Sequence, residues 1–159
     1  MDKDIFYMKL AIEEAKKAYQ FDEVPIGCVI VFQDKVLACT YNRKTIDKIA
    51  TSHAEILAIN ETCQKLESWY LNECTLYTTV EPCLMCTGAI LQSRIKRVVY
   101  GCTNQAFGYL SKLENSKIEV TSGILKEECA SILSDFFQKK ENLLKKKLLN
   151  LILFFLIVS

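Results

Sequence analysis

The chain has 159 residues and a mass of 18.2 kDa; half of its residues are apolar and a quarter are charged, with five glycines and two prolines. This composition is typical of one globular domain, and it excludes disordered, collagen-like and low-complexity proteins. The net charge is only +1, although residues 139–147 alone carry five lysines and one glutamate. A globally basic nucleic-acid-binding protein is therefore excluded, whereas a basic tail on a mildly acidic body is not.

The first third of the chain predicts a helix followed by a β-hairpin. Two β-rich runs, 26–32 and 36–41, flank a short connection at 33–35. A polar loop is expected over 42–51. Between residues 4 and 20 apolar residues recur at helical spacing, namely at Ile5, Met8, Ala11, Ile12, Ala15 and Tyr19.

The rest of the chain alternates helices and strands. Ser52 is expected to cap a helix that runs to about Leu66, with Glu55 as its capping-box partner. Pro82 is expected to open a second helix that ends near Gln92, and Gly123 leads into a long helix from about residue 125. Strands are expected over 75–80, 95–100 and 118–121.

This order of elements predicts a three-layer α/β/α sandwich, because buried strands that alternate with helices form a sheet covered on both faces. We expect this domain to cover residues 1–140. A tail that is first basic and then hydrophobic is expected over residues 141–159.

Eight cysteines raise the question of a disulfide framework. The first residues, Met1 to Asp4, lack the basic region, the apolar stretch and the cleavage site of a secretory signal peptide. We therefore expect a cytoplasmic protein with reduced thiols. Six cysteines lie mostly in apolar stretches and are predicted to be small core residues: Cys28, Cys39, Cys63, Cys74, Cys102 and Cys129.

The two remaining cysteines and the only histidine predict a zinc site. Cys83 and Cys86 are three residues apart after Pro82, so their sulfurs lie on one face of a helical turn, whose positive end favours thiolates. With His53 they make three ligands for tetrahedral zinc, and the fourth position stays free for water, as in catalytic sites. Glu55 is two residues from the histidine, close enough to exchange a proton with that water without binding the metal.

Other interpretations of this pattern are open at this point. A Pro-Cys-x-x-Cys sequence at a helix start also occurs in thioredoxin-like redox sites. A structural zinc site would need a fourth protein ligand, which Cys102 or Cys74 could supply. Glu55 could serve only as a helix cap. The histidine and glutamate upstream of the two cysteines favour the catalytic zinc site over these alternatives.

The same motifs, His53-Ala54-Glu55 and Pro82-Cys83-Leu84-Met85-Cys86, resemble the signature of the cytidine deaminase superfamily. Within it, the chain is most similar to the bacterial-type tRNA-specific adenosine deaminases. The zinc motifs alone indicate the superfamily, whereas the C-terminal match over 123–137 indicates the tRNA enzymes. The other matching stretches are 23–27, 52–56, 93–95 and 97–101.

The resemblance implies a cytidine deaminase-like fold with a central five-stranded mixed sheet and one zinc ion per subunit. It implies a homodimer that converts the wobble adenosine of tRNA anticodons to inosine, with Glu55 transferring protons. Asn42 would hydrogen-bond the base and Ile26 would pack on its face. Backbone N–H groups near Ala54 and Cys83 would hold the tetrahedral oxygen. The alternative interpretations of Asn42 and Ile26 are an ordinary loop amide and a core strand residue.

The tRNA anticodon stem-loop is the partner that the resemblance implies, and a loop base costs little to extrude because it is already partly unstacked. Phe137 is a candidate stacking surface, and the candidate phosphate contacts are Arg94, Lys96, Arg97, Lys139 and Lys140. Basic side chains near helix ends are usually only solvated, and Phe137 could instead belong to the core.

Two segments differ from the family. Residues 102–108 form a shorter loop than the family has, with Asn104 in place of an acidic residue. Residues 148–158 are almost entirely apolar and follow three lysines. As a helix they would be about 16 Å long, about half of a bilayer's hydrocarbon core, so they could not span it. We expect them to pack against a partner subunit rather than to anchor the chain in a membrane. The alternatives are a helix that lies in a membrane interface and an aggregation-prone appendage.

Two alternative functions use the same residues. The zinc chemistry could act on a free nucleobase or nucleoside, such as cytosine or guanine. Alternatively, the chain could be a non-catalytic zinc-binding partner subunit, although Glu55 would then have no proton to transfer.

Overall fold

The computed structural model describes residues 2–113 and 117–158. Its helices are α1 (Lys3–Gln20), α2 (Lys44–Asp47), α3 (Ala54–Leu66), α4 (Leu84–Gln92) and α5 (Lys126–Val158), with a 3-10 turn at Leu110–Lys112. Its strands are β1 (Gly27–Phe32), β2 (Lys35–Tyr41), β3 (Cys74–Val80), β4 (Arg97–Cys102) and β5 (Glu119–Ser122).

The five strands form one mixed sheet in the order β2-β1-β3-β4-β5. Strand β1 runs antiparallel to both β2 and β3, whereas β3, β4 and β5 are parallel. The parallel pair β3–β4 is joined by α4, as a parallel connection requires a crossover. The predicted three-layer α/β/α sandwich with a five-stranded mixed sheet is therefore confirmed.

Each face of the sheet builds its own core because successive strand residues point to opposite faces. On one face Ile30, Leu76 and Val98 pack with α3 and α4 residues such as Ala58 and Ile90. The opposite face packs against α1 and α5, and its buried members include Met8, Ala11, Val29, Tyr77, Val99 and Cys129. Both faces are therefore covered, and functional side chains can be exposed mainly at the ends of the strands.

The two helices nearest the predicted zinc ligands begin later than the sequence predicted. Helix α3 begins at Ala54 with His53 as its N-cap, and no side chain caps it. The predicted capping box of Ser52 and Glu55 was therefore wrong, because the chain remains extended through His53. Helix α4 likewise begins at Leu84 with Cys83 as its N-cap, rather than at Pro82.

The prediction for the six other cysteines was mostly right. Cys28, Cys74, Cys102 and Cys129 are buried, whereas Cys63 is only half-buried. Cys39 is exposed, and that prediction was wrong because β2 is an edge strand.

Helix α5 has 33 residues and is therefore about 50 Å long. Its first half packs on the domain through Cys129 and Phe136, and the Phe136 ring lies edge-on to Tyr19 at 5.7 Å. Every side chain from Glu141 to Leu151 is exposed. The side chains of residues 152–158 lie outside the described part of the chain. Within the part that is described, no helix has both the length and the apolar character needed to cross a membrane.

Candidate active site

The candidate site lies at the carboxyl end of β3. Strand β3 ends at Val80, and the next residues lead directly to Cys83 at the start of α4. Helix α3 begins beside it with His53 in an extended conformation (φ −76°, ψ 151°). Because N-cap residues lie outside the helical turn, His53 and Cys83 project their side chains from two adjacent helix ends.

Three side chains of these helix ends form a group that could hold a metal. Nδ1 of His53 is 3.8 Å from Sγ of Cys83 and 3.6 Å from Sγ of Cys86. Two ligands of tetrahedral zinc at the usual Zn–N and Zn–S lengths are about 3.6 Å apart. All three donor atoms lie within 4.8 Å of one another. The donor set therefore fits one zinc ion, and His53 would bind it through Nδ1.

The protonation of the two cysteines also suits a metal. Hydrogen bonds from Cys86 and His53 lower the pKa of the Cys83 thiol to about 3. The pKa of Cys86 is raised, because its thiol proton is held by the Cys83 sulfur and because its surroundings disfavour a second charge. A low thiol pKa favours the thiolate that zinc requires, and a bound metal would displace the protons that remain on the donor group.

A fourth protein ligand is absent from this group in the described residues, which argues against a structural zinc site. Cys74 lies at the opposite end of β3 from Cys83. Cys102 belongs to the core on the α1 and α5 face of the sheet, where its thiol donates to the carbonyl of Thr79. Both sequence candidates for the fourth ligand are therefore directed elsewhere.

His53 and Cys83 of this group line a cavity of about 420 Å³, a size typical of small-molecule sites. Glu55 lines this cavity and is only 3% exposed, and its burial raises the pKa of the carboxyl. The walls also include Ile26, Asn42 and Ala54, so the structure brings together the residues predicted to bind the substrate.

Two buried glutamates beside the cavity were missed by the sequence analysis. Glu23 is 1% exposed; its carboxylate accepts hydrogen bonds from the Asn42 amide (3.2 Å) and from the backbone N–H of Ile46 (2.6 Å). Glu81 is 4% exposed and accepts from the backbone N–H groups of Asn104 (3.3 Å) and Ser111 (3.0 Å). Glu23 belongs to a stretch that resembles the family, but its contacts join residues far apart in the chain.

Of the residues predicted to contact RNA, the structure places only Phe137 at the cavity. Phe137 lines the cavity and is 52% exposed. Arg94 lies beyond the far end of α4 from Cys83, and Lys139 lies over the ring of Tyr19. Lys140 is paired with Asp22. These three do not line the cavity. The predicted contacts Lys96 and Arg97 do not line it either, and Arg97 is paired with Asp4 and Glu119.

Lys44 was not predicted from the sequence. Among the described residues that line the cavity, it is the one lysine or arginine. It is exposed, and among the described residues it forms no ion pair. The phenyl ring of Phe107 also lines the cavity and is 74% exposed. Exposed rings and one cation thus surround the entrance.

Similarity to known proteins identifies the family of this chain. A family model described as MafB19-like deaminase matches residues 1–141. The tRNA-specific adenosine deaminase of Bacillus subtilis (strain 168) is 42% identical over 159 residues, which cover 93% of this chain and 99% of that protein. A protein of the same name from Buchnera aphidicola subsp. Schizaphis graminum is 39% identical over 146 residues, which cover 87% of this chain and 97% of that protein.

A solved structure leads to the same family. It comes from studies of A-to-I editing by tRNA:A34 deaminases at the wobble position, and it matches with a TM-score of 0.76 and 36% identity over 80% of this chain and 99% of that chain. Since identity of this level extends over most of the sequence and the family model matches residues 1–141, this chain belongs to the tRNA-specific adenosine deaminase family of the cytidine deaminase superfamily.

Proposed function

We propose that this protein hydrolyses the wobble adenosine of tRNA anticodons to inosine and ammonia, with one zinc ion held by His53, Cys83 and Cys86. The observation that supports this most directly is that these three donor atoms lie within 4.8 Å of one another beside a cavity that His53, Cys83 and the buried Glu55 line. The substrate follows from the relatives named tRNA-specific adenosine deaminase.

Glu55 is the proton carrier in the proposed reaction. It accepts a proton from the attacking water and gives it to ring nitrogen N1; it then accepts the second proton from the resulting C6 hydroxyl and gives it to the departing amine. The water oxygen bonds to C6 while the C6–N6 bond breaks, so adenosine and water give inosine and ammonia. Zinc, when bound, supplies a Lewis acid that brings the pKa of a water molecule toward 7. Burial suits Glu55 to this role because it raises the carboxyl pKa toward the working pH.

The cavity walls bind the base in this proposal. Ile26 packs on the face of the purine, and the Asn42 amide forms a hydrogen bond with the nucleoside. The backbone N–H groups at the starts of α3 and α4, near Ala54 and Cys83, have no acceptors within their helices and are available to an oxyanion.

The entrance of the cavity accepts an extruded loop nucleotide. Phe137 provides a surface on which a neighbouring base can stack, and Lys44 provides a cation for a phosphate. Arg94, Lys139 and Lys140 would contact only more distant parts of the stem-loop. Of these, Lys140 would have to leave Asp22 first.

We also propose a homodimer that works in the cytoplasm, as the family resemblance implies. Residues 1–140 would form the deaminase domain and residues 141–159 an appended tail. The match of the family model to residues 1–141 and the exposure of side chains 141–151 support this division. A chain that ends at residue 140 should keep its melting temperature and its activity. Loss of folding without the tail would contradict the division.

The test of function compares the wild type with Glu55→Gln on an anticodon stem-loop and, separately, on free guanine and cytosine. We expect the wild type to form inosine in the RNA, and the variant to lose about 10²- to 10⁴-fold in kcat while it keeps one zinc per chain. Turnover of free bases alone would support the nucleobase deaminase instead. Full activity of Glu55→Gln would contradict the role of Glu55, and an inactive wild type with bound zinc would support the partner-subunit alternative.

A further inference from the structure

Glu23 is a buried carboxylate that the proposed reaction does not use. It follows the end of α1, where its backbone N–H donates to the carbonyl of Ala18 (3.0 Å). Its side chain is 1% exposed, and among the described residues no cation pairs with it. Burial of a carboxylate whose only partners are neutral amides costs free energy. The groups that it contacts therefore indicate which part of the structure this charge stabilises.

Both hydrogen bonds of this carboxylate go to the segment that forms one wall of the cavity. Oε1 accepts from the backbone N–H of Ile46 at 2.6 Å, and Oε2 accepts from Nδ2 of Asn42 at 3.2 Å. The backbone N–H of Asn42 donates to the carbonyl of Ile26 at 3.0 Å. Glu23 therefore fixes both ends of residues 42–46, and Asn42 and Lys44 within that segment line the cavity.

The chemistry of the contact sets which way the Asn42 amide points. An ionised carboxylate can only accept hydrogen bonds, so the amide nitrogen must face Glu23. The amide oxygen Oδ1 is then turned away from Glu23, and no group of the described residues donates to it. Asn42 is only 6% exposed, so its amide has little freedom to turn toward bulk water instead.

We propose that Glu23 is a positioning residue: it fixes the rotation of the Asn42 amide, so that the cavity presents a hydrogen-bond acceptor to the substrate. This inference rests on the proposed function, since the substrate is the nucleoside that enters this cavity. The acceptor favours a substrate with an N–H or O–H donor at that place, and it disfavours one with a lone pair there.

The substitution Glu23→Gln inverts this arrangement without removing a hydrogen bond. The amide oxygen of the glutamine can still accept from Ile46, whereas its NH2 group must donate to residue 42. The Asn42 amide would then turn over and present its NH2 group to the cavity. In the double variant Glu23→Gln/Asn42→Asp the glutamine donates to one carboxylate oxygen, and the other oxygen again offers an acceptor. The double variant also conserves the net charge of the pair.

The test measures kcat, KM and melting temperature for the wild type, the two single variants and the double variant. The substrates are the anticodon stem-loop, guanine and cytosine, so the ratios between variants are obtained with whichever one the wild type converts. We expect Glu23→Gln to lose about 10- to 100-fold in kcat/KM while it stays folded at the assay temperature, because the cavity then presents an unmatched polar group. The double variant should recover most of this loss, and Asn42→Asp alone should be the least stable, because two carboxylates then face each other.

Glu14→Gln is the matched control. Glu14 is also a buried glutamate, 6% exposed, but its partner is Lys17 on the outer side of α1. This control should keep wild-type kcat/KM. The proposal is overturned if Glu23→Gln keeps full activity, if its activity falls only in proportion to the unfolded fraction, or if the double variant is folded but no more active than Glu23→Gln. An inactive wild type on the stem-loop would refute the proposed RNA substrate, while the ratios on the free bases would still decide the role of Glu23.

Discussion

The loop that closes the cavity beside the proposed metal ligands should not tolerate the addition of one methyl group at Gly108. A Cβ atom there would overlap Oε2 of Glu81 and would lie 2.5 Å from the carbonyl oxygen of Asn104 and 2.6 Å from Cδ of Glu81. Gly108 also pairs with Cys83, a proposed metal ligand, through an isolated β-bridge. The backbone is therefore held too close for the loop simply to move outward.

The magnitude follows from what Gly108→Ala must displace. The Glu81 carboxylate accepts from two backbone N–H groups, at 3.0 and 3.3 Å, and hydrogen bonds to a charged group are worth about 1.5–3 kcal/mol each. Loss of both would cost about 3 kcal/mol or more, which lowers the melting temperature of a chain of this size by about 6–12 °C. Activity should fall as well, because the displaced loop contains Asn104 and Phe107, which line the cavity.

The same substitution at Gly88 provides the control. Gly88 lies in α4, and a Cβ atom built there meets nothing within 4 Å. Gly88→Ala should therefore stabilise the protein by about 0.5–1 kcal/mol through helix propensity alone. Urea unfolding and kcat/KM on the stem-loop measure both variants. If Gly108→Ala is as stable and as active as the wild type, the assigned role of Glu81 is wrong.

Two further variants test the packing and the RNA contact. The Asp4 carboxylate accepts hydrogen bonds from Arg97 at 2.8 and 2.9 Å and from Tyr77 at 2.9 Å, and its pKa is lowered mainly by Arg97. Its contribution to the free energy of unfolding is therefore present above the unfolded pKa near 3.8 and is lost as the pH falls through the lower, folded pKa. Asp4→Asn should cost about 1–3 kcal/mol at pH 7 in urea unfolding, and a cost that persists unchanged at pH 3 would contradict this. Lys44→Gln should flatten the dependence of log kcat/KM on log salt by about 0.7, whereas Lys9→Gln, an exposed lysine on α1, should not; equal slopes would exclude a phosphate contact by Lys44.

The sequence predicted the parts of this protein that depend on local patterns. Period-two and helical spacing gave nine of the elements at nearly their observed places, and the His-x-Glu and Cys-x-x-Cys spacing predicted the group that meets at the carboxyl end of β3. The four-residue helix α2 was missed because it is too short to show a period. The N-cap predicted at Ser52 was one residue too early, because the observed N-cap of α3 is the predicted metal ligand His53 itself.

What could not be predicted depends on contacts between distant parts of the chain. The carboxylate of Glu23 reaches residues 42 and 46, and that of Glu81 reaches residues 104 and 111. No periodicity marks a glutamate as buried, because burial follows from the fold that brings these loops together. The strand order also depends on pairing between distant segments of the chain. The position of Lys44 at the cavity likewise became visible only in the structure.

The central claim is that three side chains at two helix ends bind one zinc ion and leave a position for water. X-ray absorption at the zinc edge, on purified protein whose metal content has been measured, tests this most directly. We predict one zinc per chain with one nitrogen at about 2.0 Å, two sulfurs at about 2.3 Å and one light atom from water, and a marked loss of zinc in Cys86→Ser. An active enzyme without zinc, or a zinc ion bound by four protein ligands, would contradict the account.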